Sequence, residues 1–294
     1  MSPGQVAERL RLLAKEQGRT IEELRTLYML ESFLVRLQRT KYADGFVLKG
    51  GVLLAAFRLR RPTSDIDMQA LNFELDEAHL GEVVAAVSAA EAEDGLVFDP
   101  APISIAPIRD EDVYSGLRVL VGTHLMGSNN IVKLDVSTGD PINPSAITVT
   151  VPMILGGSFA MWGHPLPTVI AEKTVTVLER GSVSTRWRDM MDVRNLALTY
   201  DFDHAELRTA VKAVAKQRGV ELTSFRDAID GWAEVGQPKW GAWRYRQRVE
   251  EITLADFGEQ LRAVADFVES VFVNDLHLRR WDHASRRWVE ASVS

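Results

Sequence analysis

Leu48-Lys49-Gly50-Gly51, the apolar run Val52-Leu53-Leu54-Ala55-Ala56-Phe57, and then Thr63-Ser64-Asp65-Ile66-Asp67 form the stretch on which the reading of this chain turns. Phe46-Val47-Leu48 reads as a short buried strand, the glycines as a turn, the apolar run as a helix and the segment around Ile66 as a second strand. In an extended segment successive side chains alternate, so Asp65 and Asp67 project from one face, about 6.6 Å apart, while Ile66 points into the core. Two carboxylates that close raise each other's pKa unless a cation lies between them, which makes a hard divalent ion, magnesium above all, the natural third party. Two consecutive residues without a Cβ let the backbone approach a phosphate, and the helix start behind them offers free N–H groups to an anion. A triphosphate would then lie over Lys49, Gly50 and Gly51, beside Ser64, with its metal on Asp65 and Asp67. A Gly-Gly pair alone is a turn, and an Asp-x-Asp alone is a solvated strand face. The order strand, Gly-Gly, helix, turn, Asp-x-Asp is what gives the stretch its specificity.

This arrangement resembles the first signature of the nucleotidyltransferase superfamily, a Gly-Ser or Gly-Gly pair followed a short distance later by Asp-x-Asp. The version here is most similar to the abortive-infection (AbiEii-type) nucleotidyltransferase toxins, including the mycobacterial MenT group. The resemblance implies an α/β (α+β) fold: a mixed sheet bearing the acidic residues, flanked by helices, joined to a helical C-terminal lobe, with the active site in a cleft. It also carries three further segments. In Asn130-Ile131-Val132-Lys133-Leu134-Asp135-Val136, Val132, Leu134 and Val136 share one strand face and Lys133, Asp135 and Ser137 the other; the resemblance makes Asp135 the third acidic residue. The run Val169 to Gly181 reads as a helix closed by its glycine, and the resemblance gives Lys173 the task of holding the triphosphate as a point charge. In Ser184 to Val193, with Ser184 or Thr185 as a helix cap, Asp189 and Asp192 share a helix face and are placed near the nucleotide by the same resemblance. Plainer readings stand beside each: an exposed strand aspartate, a helix lysine paired with a neighbour, an aspartate paired locally with Arg186 or Arg188.

The mechanism implied is a two-metal transfer, with Mg2+ on Asp65, Asp67 and Asp135 and an NTP as nucleotide donor. In the toxin family the acceptor is the 3′ end of tRNA, whose modification stops aminoacylation and translation, and a cognate antitoxin protein is the expected counterpart. Nothing in the chain itself names the acceptor. A protein side chain or a small hydroxylated molecule is the rival enzymatic reading, and a catalytically inactive partner-binding module the non-enzymatic one.

At 294 residues and 46% hydrophobic, the chain can bury a full core. Two domains are expected, 1–155 carrying the transferase site and 156–294 mainly helical. The absence of cysteine excludes disulfides, thiolate metal sites and a cysteine nucleophile. No apolar run approaches the roughly 20 residues that span a bilayer, and Met1-Ser2-Pro3-Gly4-Gln5 lacks a signal-peptide pattern, so a soluble, cytoplasmic protein is expected. A net charge of −7 argues against coating nucleic acid by bulk electrostatics. A local basic surface is still on offer between Pro238 and Arg248, where Lys239, Arg244, Arg246 and Arg248 interleave with Trp240, Trp243 and Tyr245. Lys239, Trp243, Arg244, Arg246 and Arg248 are the candidate RNA contacts; helical spacing of the tryptophans offers the alternative that they anchor a helix to a core.

Elsewhere, 5–16 and 20–39 read as helices, the second with an apolar stripe of Leu24, Leu27, Leu30, Leu34 and Leu37. A helix is expected over 77–92 and strands at Ile103 to Ile105, Leu117 to Val121, Ile131 to Val136 and Ile147 to Val151. Proline- and glycine-rich connections are expected at Asp140 to Pro144 and Gly156 to Pro167, and from Pro165 onward the chain reads as almost wholly helical, including a long amphipathic run from Phe257 to Phe272.

Overall fold

Capping chemistry starts the chain's first two helices in the computed structural model, which describes residues 1–108, 116–125, 127–181, 185–273 and 279–291. Ser2 and Gln5 form a capping box on α1 (Pro3–Glu16), and the Thr20 hydroxyl accepts from the Glu23 N–H at the start of α2 (Ile21–Leu37). The leucine stripe of α2 is at most 2% exposed at every position. Each such burial contributes about 1.5–3 kcal/mol. β1 (Phe46–Lys49) leads into α3 (Gly50–Leu53) and a tighter turn to Phe57, followed by β2 (Ile66–Ala70), α4 (Glu77–Ala89), β3 (Leu96–Phe98), β4 (Ser104–Pro107), β5 (Gly116–Leu125), β6 (Ser128–Ser137), β7 (Ile147–Pro152) and β8 (Ser158–Gly163). The remainder comprises α5 (Leu166–Arg180), α6 (Trp187–Thr199), β9 (Phe202–Asp203), α7 (His204–Arg218), α8 (Phe225–Ala228), α9 (Trp232–Gln247), α10 (Phe257–Val273), β10 (Arg279–Asp282) and β11 (Arg287–Glu290).

The chain divides into two units, Met1–Gly139 with Ala146–His164, and Asp140–Ser145 with Pro165–Ser294. The first is an α/β unit on a mixed sheet ordered β3-β5-β6-β2-β1-β8-β7, with β4 also pairing β5. β2 runs antiparallel to β1 and parallel to β6, so the two strands that carry the acidic residues are direct neighbours near the middle of the sheet. Phe46, Val47, Leu48, Ile66, Val132 and Leu134 are buried and supply its core. The second unit is mainly helical.

Three local expectations change. The stretch expected to be a connection from Gly156 contains β8, where Phe159, Met161 and Gly163 are buried and Ser158, Ala160 and Trp162 exposed. That period-two pattern lets it pair with β7 and, in parallel, with β1. β8 therefore belongs to the first unit, and the division falls at His164 rather than after residue 155. The helical tail ends in a hairpin instead: Trp281 on β10 faces Trp288 on β11, and their indole N–H groups donate to Ala197 O and Phe267 O. Ser184 lies outside the described residues; Thr185 is not the cap of α6, whose first turn follows Arg186 without a side-chain cap. No described helix is long and apolar enough to cross a membrane.

Candidate active site

The strand register places four charged residues in one row across the first unit's sheet. Lys49 on β1 is the direct partner of Asp67 on β2, Asp67 of Asp135 on β6, and Asp135 of Arg118 on β5. Directly opposed residues on neighbouring strands present their side chains on the same face. The row reads cation, acid, acid, cation. Asp65 precedes β2 by one residue, and Lys133, two residues before Asp135 on the same face of β6, reaches it: Lys133 Nζ lies 2.7 Å from Asp65 Oδ2 and 3.8 Å from Asp135 Oδ2. Arg118 grips Asp135 with both arms, Nε to Oδ1 and Nη2 to Oδ2 at 2.8 Å each.

The glycine pair makes room for this chemistry. Gly50 has a φ of +64°, open to glycine at little cost, and a Cβ built there would overlap the Asp67 carboxylate. A Cβ on Gly51 would overlap Thr63 and come within 3.1 Å of Arg61 Nη1. Thus the turn is glycine twice because the Asp67 carboxylate and the Thr63 and Arg61 side chains lie against its backbone. The loop that carries Asp65 is itself tied down. Glu31 on α2, 2% exposed, accepts from Arg60 Nη1 at 2.6 Å and from the Ile154 N–H at 2.9 Å, and burial pushes its pKa up against the pull of Arg60.

Asp67 is partly accessible at the surface, but the protein mass around its carboxyl group is dense. That burial, reinforced by Asp65 and then Asp135, pushes its pKa up to about 6 even though Lys49 and Arg61 pull it down. Asp67 and Asp135 share one face of the sheet with Asp65 beside them, and a dication drawn among these carboxylates would relieve the tension that holds Asp67 toward its neutral form. The structure places Lys49, Gly50, Gly51, Asp65 and Asp67 beside Asp135, the residue that the family resemblance and not the spacing supplied, with Ser64 exposed next to Asp65. Sequence reasoning did not pick out Arg118, Lys133, Arg61 or Glu31. The alternation in β6 had already put Lys133 on the face of Asp135; only the sheet order shows that it meets Asp65.

The second unit holds a different cluster. Lys173 on α5 lies 2.6 Å from Asp189 Oδ1 and 2.8 Å from Asp192 Oδ2 on α6, with side chains 12%, 10% and 2% exposed. The one-turn spacing of the aspartates puts both carboxylates on the lysine, and Arg186 adds a longer contact of 3.8 Å to Asp189. Among the described residues, the set of three ligating groups whose donor atoms all lie within 4.8 Å of one another is Asp201, Asp282 and His283. Arg280 already pairs with both of those aspartates.

The basic segment at 239–248 is corrected in part. Trp243 is 7% exposed and stacks on Trp240 with ring centroids 5.2 Å apart, so its indole belongs to the core and is withdrawn as a base-stacking contact. Arg244 donates to Thr253 Oγ1 at 2.7 Å and to Glu250 O at 3.1 Å, tethering the chain that follows α9. Lys239, Arg246 and Arg248 are exposed, as is Tyr245 at 78%.

No curated protein matches the chain. Two solved structures are similar to it: JHP933 from Helicobacter pylori, at 16% identity, TM-score 0.49, covering 85% of this chain and 93% of that one; and an H. pylori protein assigned as a nucleotidyltransferase, at 17% identity, TM-score 0.47, covering 82% and 92%. Residues 32–284, most of both units, match the model of the nucleotidyl transferase AbiEii toxin of type IV toxin-antitoxin systems, and the chain belongs to that family.

Proposed function

We propose that this protein transfers nucleotides from an NTP to the 3′ end of tRNA in a magnesium-dependent reaction, blocking aminoacylation and hence translation, with a cognate antitoxin as its counterpart. The observation that carries the reading is the row of Lys49, Asp67, Asp135 and Arg118 beside the Gly50-Gly51 turn. Asp65, Asp67 and Asp135 would hold Mg2+, which when bound supplies charge neutralisation on the reacting phosphates. The glycines keep a Cβ-free surface on which phosphate oxygens can approach backbone N–H groups, and Lys49 adds a point charge there. Glu31, through Arg60, fixes the loop from which Asp65 projects. Lys173, Asp189 and Asp192 are assigned to the nucleotide by family resemblance, a role in which Lys173 would exchange a carboxylate partner for a phosphate.

Incubation with total tRNA and each labelled ribonucleotide triphosphate in turn, with magnesium and then with chelator, tests this directly. Label on tRNA that depends on the metal supports it. Metal-dependent label on protein or on a small hydroxylated molecule, with none on tRNA, establishes the second reading, which one observation favours: with Trp243 in the core and Arg244 engaged, the surface first read as an RNA contact is smaller than its sequence suggests.

A further inference from the structure

The three carboxylates of the site are met by the protein's own cations. Arg118 holds Asp135 through a planar two-point contact from the adjacent strand. Lys133 makes a different kind of contact, a single ammonium 2.7 Å from Asp65 and 3.8 Å from Asp135, at the end of a flexible four-carbon stem. Its side chain is 29% exposed, more open to solvent than those of its partners at 18% and 15%. Asp65 and Asp135 are also carboxylates that the proposed reaction assigns to the metal. An ammonium and a dication in contact with the same oxygens repel each other strongly where water is partly excluded. One of them must leave, and the bidentate arginine is the harder to move.

We propose that Lys133 is a resident counter-ion of the acidic site, held on Asp65 until a divalent cation displaces it, and that it thereby sets the metal affinity of the enzyme. This rests on the reading of Asp65, Asp67 and Asp135 as metal ligands. The physical consequence is a site whose charge is balanced in the metal-free protein and whose hold on a dication is weakened by competition from within.

Titration with Mn2+, followed by electron paramagnetic resonance of the free ion and by calorimetry, tests this on wild-type protein, Lys133→Met, Lys133→Gln and Lys133→Arg. The two uncharged variants should bind Mn2+ about tenfold more tightly than wild type, and Lys133→Arg should stay weak. The Mn2+-induced rise in melting temperature should grow in the same order. Unchanged or weaker binding in both uncharged variants would overturn the inference while leaving the metal site standing. Failure of both to fold would make Lys133 a structural residue and overturn it as well. Wild-type protein that takes up no Mn2+ would remove the metal reading itself, and the inference with it.

Discussion

Two acidic clusters in this molecule solve the same electrostatic problem differently. On the helices of the second unit, Asp189 and Asp192 both close on Lys173, with Arg186 a longer contact to Asp189, and the lysine and aspartate side chains are at most 12% exposed. On the sheet of the first unit, Asp67 and Asp135 are forced side by side by strand register, their cations stand at the ends of the row, and Asp67 is left with a pKa near 6. Like charges directly opposed across strands are unfavourable. A protein selected for stability alone would place them apart. The helical cluster is held by close ion pairs, whereas the sheet cluster keeps Asp67 at a raised pKa although Lys49 and Arg61 pull it down, and a strongly perturbed group beside a specific set of charges marks the sheet cluster as the candidate site.

The most severe test of that contrast is Asp67→Ala. Nucleotide transfer to tRNA should fall by roughly three orders of magnitude or more, equivalent to about 4 kcal/mol, while circular dichroism and cooperative melting stay native. Full activity in this variant would remove the assignment of the acidic row as the catalytic centre.

Lys173→Ala probes the other side. It takes the closest cation from two buried carboxylates, and removing one partner of a buried ion pair costs roughly 3–5 kcal/mol, so a large drop in melting temperature is expected. Lys173→Met combined with Asp189→Asn and Asp192→Asn removes the charges together and should recover most of that stability. NTP use then separates the two roles. If the stable triple variant transfers nucleotide at the wild-type rate, the cluster is structural and the family assignment of Lys173 to the triphosphate does not apply here.

What could be read in advance follows the range of the interactions. β1, β2 and β6 were legible because alternation and the Gly-Gly turn are local, and the same alternation placed Asp65 with Asp67 and Asp135 with Lys133. The salt bridge from Lys133 to Asp65 and the fork from Arg118 to Asp135 were not, because each depends on which strands become neighbours, a property of the whole sheet. β8 was masked by Gly156, Gly157, Pro165 and Pro167 around it, although Phe159 and Met161 carried the strand period. Trp240 and Trp243 illustrate an ambiguity of type: at helical spacing, aromatics read equally as anchors or as a stacking surface, and packing against Phe257 and Trp187 decided for the core.

The pKa of Asp67 gives the comparison a pH axis. Its carboxyl group titrates at about 6 in the folded protein against 3.8 when unperturbed. Below 3.8 both states bind the proton and the group is neutral toward folding. As pH rises from there through 6 the unfolded chain loses the proton first, so the folded state is progressively disfavoured, by about 3 kcal/mol in full. Asp67→Asn removes that penalty. In the absence of metal it should melt higher than wild type at pH 8, with the advantage shrinking as pH falls toward 4. An advantage that is constant with pH would mean that the tension at Asp67 is not one of charge.

The smallest expected effect concerns the acceptor. Lys239 and Arg246 are seven residues apart on α9, hence on one helical face, and both are exposed. If they touch an RNA backbone, Lys239→Ala with Arg246→Ala should weaken tRNA binding and lower the slope of log K against log salt by about 1.4 to 1.8, the release of roughly one counterion per lost contact. Binding of NTP should not change, because neither residue is among those assigned to the nucleotide. Arg244→Ala is the matched control: its hydrogen bonds run to Thr253 and Glu250, so it should lower stability and leave the salt slope alone. An unaltered slope in the double variant would move the RNA surface off α9, and the case for tRNA would then rest on family membership and on the transfer assay.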